Sequence, residues 1–185
     1  MNGFAGTLVL VVGPSGAGKD SVIDEARKRL IGNGRYVFAV RSITRAADAG
    51  GEFHESLTED QFEARRQAGG FLLSWQAHGL SYGIPAAYLQ KLEQGCIVIA
   101  NVSRLSIEEA RAKCPGRVRV VAVTAPRDVL AERLARRGRE TQDEIRERLA
   151  RTPPFIVDGP GVWELKNDGP LKEAGNAFAD FLEQL

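Results

Sequence analysis

Apolar runs alternate with stretches of helical periodicity along most of the chain, the pattern of a parallel α/β sheet covered on both faces. The run from Thr7 to Val12 reads as a strand buried on both sides. Ser21 to Leu30 then places Val22, Ile23, Ala26 and Leu30 on one side of a helix. Further strands are predicted at Tyr36 to Val40, Cys96 to Ala100, Val118 to Val123 and Val162 to Leu165, with helices at Leu105 to Lys113 and Leu171 to Leu185. Two arginine-rich helices, Arg127 to Arg137 and Gln142 to Arg151, flank Gly138, and Pro153-Pro154 ends the second.

Residues 41 to 90 break this rhythm. A turn segment at Ala47-Asp48-Ala49-Gly50-Gly51 precedes a helix from Thr58 to Ala68, with Thr58 and Gln61 spaced as a capping box. Two short strand-like pieces follow, around Phe71 to Gln76 and Leu80 to Tyr82. The expected organisation is one domain over 1–185, with a core of about 1–40 and 91–185 and a small lobe inserted at about 41–90.

Composition narrows the class without naming a function. With 185 residues, 43% hydrophobic and 26% charged, the chain has ordinary soluble-protein composition. A formal net charge of +1 supplies no global field toward nucleic acid or a membrane surface, so neither is an expected partner. The first apolar run is too short for a signal or membrane helix, which makes the cytoplasm the expected location. Cys96 and Cys114 lack metal-ligand spacing. Cys96 is expected to be a buried core thiol and Cys114 a loop residue without a role. His54 and His78 have no partner at metal spacing, and Trp75 and Trp163 are expected in the core.

The strongest chemical signal is Gly13-Pro14-Ser15-Gly16-Ala17-Gly18-Lys19, which has the Walker A spacing between an apolar strand and a helix. Glycines let the backbone wrap closely around a phosphate, and the wrapped amides and the helix N-terminus face the anion. Lys19 adds a cation over the β- and γ-phosphates, so ATP is the expected nucleotide. Asp20 stands where the motif calls for a Ser or Thr that binds Mg²⁺. Three readings stay open: Asp20 ligates Mg²⁺ itself or through water, Ser21 supplies the oxygen, or Asp20 complements the helix dipole.

Around this loop the chain resembles the guanylate-kinase-like P-loop kinases over nearly its full length. The resemblance is carried by Ser42-Ile43-Thr44-Arg45, by Phe71 to Gly79, by Tyr82-Gly83-Ile84-Pro85, by Gly138-Arg139-Glu140-Thr141 and by Asn167-Asp168. It implies a five-stranded parallel sheet of the P-loop NTPase fold, with helices on both faces. It also implies an acceptor-binding inserted lobe, an Arg-rich lid at about 133–148, and an Asn167-Asp168 loop near adenine. A narrower resemblance rests on Gly18-Lys19-Asp20-Ser21, on Ser74-Trp75-Gln76-Ala77-His78-Gly79 and on Tyr82 to Pro85: these look like the ribose 1,5-bisphosphate phosphokinases of bacterial phosphonate catabolism. That branch implies ATP-dependent phosphorylation of ribose 1,5-bisphosphate to 5-phospho-α-D-ribose 1-diphosphate.

The departures from guanylate kinases point the same way. Guanine-recognising carboxylates of that family are replaced by Ser74 and Asn101, and a second acceptor-phosphate arginine is missing near Asp48. By family position, Arg45 and Tyr82 are expected to hold the acceptor phosphate. For His78, substrate contact and simple packing stand level. The segment from Arg127 to Arg151 holds eight arginines and no lysine. Arg137, Arg139 and Arg148 are the candidates there for transition-state charge stabilisation, with Arg133 a weaker one. Arg104 is the candidate for the acceptor's second phosphate, with Arg41 in reserve, and His54 has no assignment. The competing readings are a guanylate-type nucleotide kinase and a non-catalytic binding module of the same fold.

Overall fold

The computed structural model describes residues 5–46, 53–136, 145, 149 and 155–185. In chain order its elements are β1 (Thr7–Val12), α1 (Lys19–Leu30), β2 (Tyr36–Phe38), β3 (Ser42–Ile43), β4 (Glu55–Ser56), α2 (Glu59–Gln67), β5 (Phe71–Ala77) and β6 (Leu80–Pro85). Then come α3 (Tyr88–Glu93), β7 (Ile97–Asn101), a 3-10 turn (Arg104–Ser106), α4 (Ile107–Lys113), β8 (Val118–Thr124), α5 (Arg127–Ala135), β9 (Val162–Lys166) and α6 (Leu171–Glu183).

A five-stranded sheet runs in the order β2-β7-β1-β8-β9 with every pairing parallel. Strand β1 lies at its centre, and the alternation of its side chains divides the core in two. Val9 and Val11 face α1 and α6, where Val22, Ile23, Ala26, Phe178 and Leu182 are buried. Leu8, Leu10 and Val12 face the other layer, built from Leu92, Ile107 and Ala110 with Leu72, Leu73 and Ile84. Each buried Val, Leu, Ile or Phe among them contributes about 1.5–3 kcal/mol, so the sheet is a rigid base for the loops at its carboxyl edge. A crevice opens there because the connections of neighbouring strands leave in opposite directions, as in other open α/β sheets.

The insertion forms a second sheet of four strands, in the order β4-β3-β6-β5. Strands β3 and β4 have two residues each, too few to leave a period in the sequence. The capping box at the start of α2 is formed: Thr58 N–H donates to Gln61 Oε1 at 2.9 Å and Gln61 N–H to Thr58 Oγ1 at 3.2 Å. Strands β5 and β6 are joined through His78 and Gly79, with φ of 53° and 73°. Two successive positive φ angles match a type I′ hairpin turn, and His78 takes that conformation despite its Cβ.

The expected burial of Cys96 is corrected. Cys96 is partly exposed at the mouth of β7, whereas Cys114 is the buried thiol, packed under the end of α4. Burial pushes the Cys114 thiol above its ordinary pKa. Trp75 and Trp163 are half-buried and stacked, on Tyr82 and Phe181 respectively. The second arginine-rich helix and Gly138 lie outside the described residues, apart from Ile145 and Leu149, which are helical. No helix among the described residues is long and apolar enough to cross a membrane.

Candidate functional site

Strand β1 delivers Gly13 to the carboxyl edge of the sheet. A Cβ there would stand 2.4 Å from the Val123 carbonyl, so only glycine lets the chain leave β1 this close to β8. Gly18 caps α1 with φ 85° and ψ 25°, a left-handed conformation, and a Cβ on it would meet Asn167 Nδ2 at 2.5 Å. Lys19 Nζ donates to the carbonyls of Gly13 and Pro14 at 2.8 and 3.2 Å, so the ammonium folds over the loop.

The loop forms one wall of a cleft of about 970 Å³, at the upper end of the range for small-molecule sites. Gly13, Pro14, Ser15, Gly16, Gly18, Lys19, Asp20 and Ser21 line it. Ala17 does not, because its methyl lies in the core and its N–H is directed to Pro14 O at 3.2 Å. Opposite stand Arg41, Arg45, Trp75, His78 and Tyr82 from the second sheet, with Asn101 and Arg104 beyond β7. Ser74 does not line the cleft, being one pleat step from Trp75 along β5.

Asp20 joins the two walls. Its Oδ1 accepts from Asn101 Nδ2 at 2.6 Å and lies 3.5 Å from Arg41 Nη2. Asn101 is only 7% exposed at the end of β7. The Arg41 guanidinium lies 5.7 Å over the Tyr82 ring, which is stacked on Trp75 at 5.5 Å. Contacts therefore run from the phosphate loop into the second sheet through Asp20, Arg41, Tyr82 and Trp75. Sequence reasoning missed the Asp20–Asn101 bond, which joins positions 81 residues apart and has no local signal.

Arg45 is held by His54, the histidine left without an assignment. One ring nitrogen, Nε2, is 3.2 Å from the Arg45 carbonyl, and Nδ1 is 3.3 Å from Arg45 Nη2. A carbonyl only accepts and a guanidinium only donates, so these two contacts together fix the neutral tautomer protonated at Nε2. Ser56 Oγ donates to the same Arg45 carbonyl at 2.6 Å. Below them, the Ser42 hydroxyl donates to Glu55 Oε2 at 2.5 Å and Arg65 Nη1 reaches the same oxygen at 2.7 Å. Ser42 first, and Arg65 with it, hold the Glu55 carboxyl below its ordinary range against the effect of burial.

On the nucleotide side, Asn167 is turned inward. It is buried, and its Nδ2 donates to Ala17 O at 2.8 Å, supporting the loop from behind. Asp168 and Lys166 do line the cleft. Arg133 also reaches the loop, with Nη1 3.5 Å from Ala17 O. Arg104 is exposed at the rim, its guanidinium 5.4 Å over the Phe155 ring, and His78 stands exposed on its turn. Arg137, Arg139, Arg148 and Asp48 lie outside the described residues.

No group of three or more His, Cys, Asp or Glu side chains among the described residues could hold a metal ion. Mg²⁺ in phosphoryl-transfer sites commonly takes one or two carboxylates and completes its shell with phosphate oxygens and water. The Asp20 side chain is 43% exposed on the cleft, and both of its recorded contacts fall on Oδ1, so the donor set fits such an ion.

Comparison with known proteins agrees with this architecture. A family model described as AAA domain matches residues 9–152. The guanylate kinase of Anaplasma phagocytophilum superposes with a TM-score of 0.68 at 14% identity, covering 100% of this chain and 88% of that one, a likeness of fold. The ribose 1,5-bisphosphate phosphokinase PhnN of Chelativorans sp. is 49% identical over 97% of this chain and 86% of its own length. The protein of that name from Agrobacterium fabrum is 43% identical over 96% of both chains. A bifunctional ribose 1,5-bisphosphokinase-thymidine phosphorylase of Cupriavidus pinatubonensis is 49% identical over 96% of this chain, which spans 29% of that protein. With the phosphate loop formed and full-length relatives at this identity, the chain belongs to the ribose 1,5-bisphosphate phosphokinase family of guanylate-kinase-like P-loop proteins.

Proposed function

We propose that the protein transfers the γ-phosphoryl group of ATP to ribose 1,5-bisphosphate, yielding 5-phospho-α-D-ribose 1-diphosphate and ADP. The observation that carries this is the Asn101–Asp20 bond. Guanylate kinases, by the resemblance, keep a guanine-binding carboxylate at the position of Asn101; here an amide stands there and is bonded to the phosphate loop at 2.6 Å. A pocket that recognises guanine N–H donors needs carboxylate acceptors, and Ser74 does not line the cleft either.

Gly13 to Ser21 cradle the triphosphate and Lys19 places its ammonium over the β- and γ-phosphates. Asp20, with Ser21 as the alternative, supplies the oxygen for Mg²⁺, which when bound neutralises charge on the phosphates. Asp168 lies beside the nucleotide, while Asn167 steadies the loop. Residues 41–90 form the acceptor lobe, where Arg45 and Tyr82 hold the reacting phosphate, with His78 and Arg104 at the rim. Residues at about 133–148 act as a lid, whose Arg137, Arg139 and Arg148 answer charge developing in the transition state. The acceptor phosphate is already an anionic nucleophile, so positioning and charge stabilisation suffice without a general base.

The test is ADP release with a panel of acceptors under saturating ATP and Mg²⁺. Ribose 1,5-bisphosphate should exceed GMP and AMP in kcat/KM by about two orders of magnitude or more, the discrimination of a pocket lacking base-pairing partners. GMP as the best acceptor would establish the guanylate-kinase reading instead. Absence of ATP binding would favour the binding module.

A further inference from the structure

We propose that Asn101 is a positioning residue for the metal-bound nucleotide, its amide fixing the Asp20 carboxylate in the orientation that receives Mg²⁺. This rests on the reading of Asp20 as the metal oxygen given above, and it gives Asn101 a task beyond the exclusion of guanine.

Asn101 is the last residue of β7, and pairing with β1 holds its backbone. It stands opposite Val11 in the parallel register, and the next residue, Val102, donates its N–H to Val11 O at 3.1 Å. Strand β1 continues into the phosphate loop, with Gly13 two residues beyond Val11. Asn101 therefore stands on the same rigid base as the loop it touches, and it is only 7% exposed.

The chemistry of the two groups decides which end of the amide faces Asp20. An ionised carboxylate only accepts, so Nδ2 must meet it, in the 2.6 Å bond to Oδ1. The Asn101 Oδ1 is buried and has no hydrogen-bond partner among the described residues. Stability alone explains such an amide poorly, since an apolar side chain would fill the place without leaving a buried acceptor unsatisfied. A directed bond to Asp20 does explain it.

Orientation matters because of where Asp20 stands. It is in the first turn of α1, lines the cleft and has a side chain 43% exposed. Asn101 and Arg41 both meet its Oδ1, at 2.6 and 3.5 Å, and Oδ2 takes neither contact. The closer of the two bonds comes from a neutral donor, which orients the carboxylate without offsetting its charge. A hydrogen bond that orients a metal ligand commonly carries about 10- to 100-fold in metal affinity.

The test is calorimetric titration with adenylyl imidodiphosphate, a non-hydrolysable ATP analogue, with and without Mg²⁺. It compares wild type with Asn101→Ala, Asn101→Leu, Asp20→Ala and the Asp20→Ala/Asn101→Ala pair, and thermal unfolding identifies the variants that retain the fold. Mg²⁺ should tighten binding of the analogue to wild type. In Asn101→Ala, or in Asn101→Leu, which keeps the volume filled, that tightening should shrink about 10-fold or more, while the metal-free Kd changes less than about twofold. A residue serving only the fold would move both constants together. Asn101→Ala should add little in the Asp20→Ala background, because it acts through the missing carboxylate. KM for ribose 1,5-bisphosphate at saturating Mg²⁺ should change less than about twofold in both Asn101 variants. Tightening that is lost in Asp20→Ala but kept in the Asn101 variants overturns the positioning role alone. A rise in acceptor KM with the tightening intact overturns it too, and makes Asn101 a contact of the acceptor. Tightening that survives in Asp20→Ala refutes the reading of Asp20 as the metal oxygen, and this proposal with it.

Discussion

Lys19 and His54 show how differently single residues act at this site. The Lys19 ammonium is held by the Gly13 and Pro14 carbonyls at the edge of the loop, so replacing it leaves the core untouched. Lys19→Met should lower kcat by about a hundred- to a thousandfold, the usual weight of one contact to developing negative charge. Its melting temperature should stay near that of wild type, as circular dichroism would read. His54 acts at one remove, through Arg45. His54→Ala should reduce kcat/KM for the acceptor about tenfold while leaving KM for ATP in place, the effect of a lost bond to a charged group. His54→Gln should restore part of the activity, because an amide also offers one donor and one acceptor. Steady-state kinetics on both substrates separates this from general damage. Neither His54 bond was legible in the sequence. They join positions nine apart, and no helical or strand period in the sequence between them ties one residue to the other.

Among the elements, legibility followed length and local chemistry. Strand β1 was readable as an unbroken apolar run of six residues, and helix α1 because twelve residues leave a clear period. The capping box of α2 was readable because Thr58 and Gln61 are three apart and need only each other. Strands β3 and β4 were not readable, since they exist only through pairing with distant partners such as β6. That pairing carries an acid-sensitive tie. Glu55 is held as carboxylate by Ser42 and Arg65, so its folded pKa lies below the unfolded value. Its stabilisation is complete above the ordinary glutamate range and is lost as pH falls through the depressed folded value. Urea unfolding from pH 6 downward should therefore show wild type losing more stability below about pH 4 than Glu55→Gln. The difference should be under about 1 kcal/mol, because a side chain 45% exposed is well screened. Parallel curves for the two proteins would show that Glu55 contributes no such tie.

At the scale of the whole molecule, the five-stranded parallel sheet was legible because, outside the insertion, apolar runs alternate with helical stretches. Parallel order then follows from connections that must cross the sheet. The phosphate loop was legible as a motif, and its departure at Asp20 marked the place where the site is unusual. What Asp20 does was not legible, because Asn101 and Arg41 reach it from two other segments of the chain. The Asn167 contact was not legible for the same reason: it meets Ala17 across 150 residues, and only the folded sheet brings β9 beside the loop. The account joins these contacts into one claim, that a triphosphate on the loop faces a phosphorylated sugar on the second sheet. Phosphorus NMR of the protein with ATP, Mg²⁺ and ribose 1,5-bisphosphate tests it most directly. The account predicts that the phosphomonoester signal at ribose C1 gives way to a coupled pair of diphosphate signals as ADP accumulates in equal amount, while GMP in a parallel sample stays unchanged. Conversion of GMP to GDP with the bisphosphate untouched, or release of inorganic phosphate with no diphosphate formed, would contradict it.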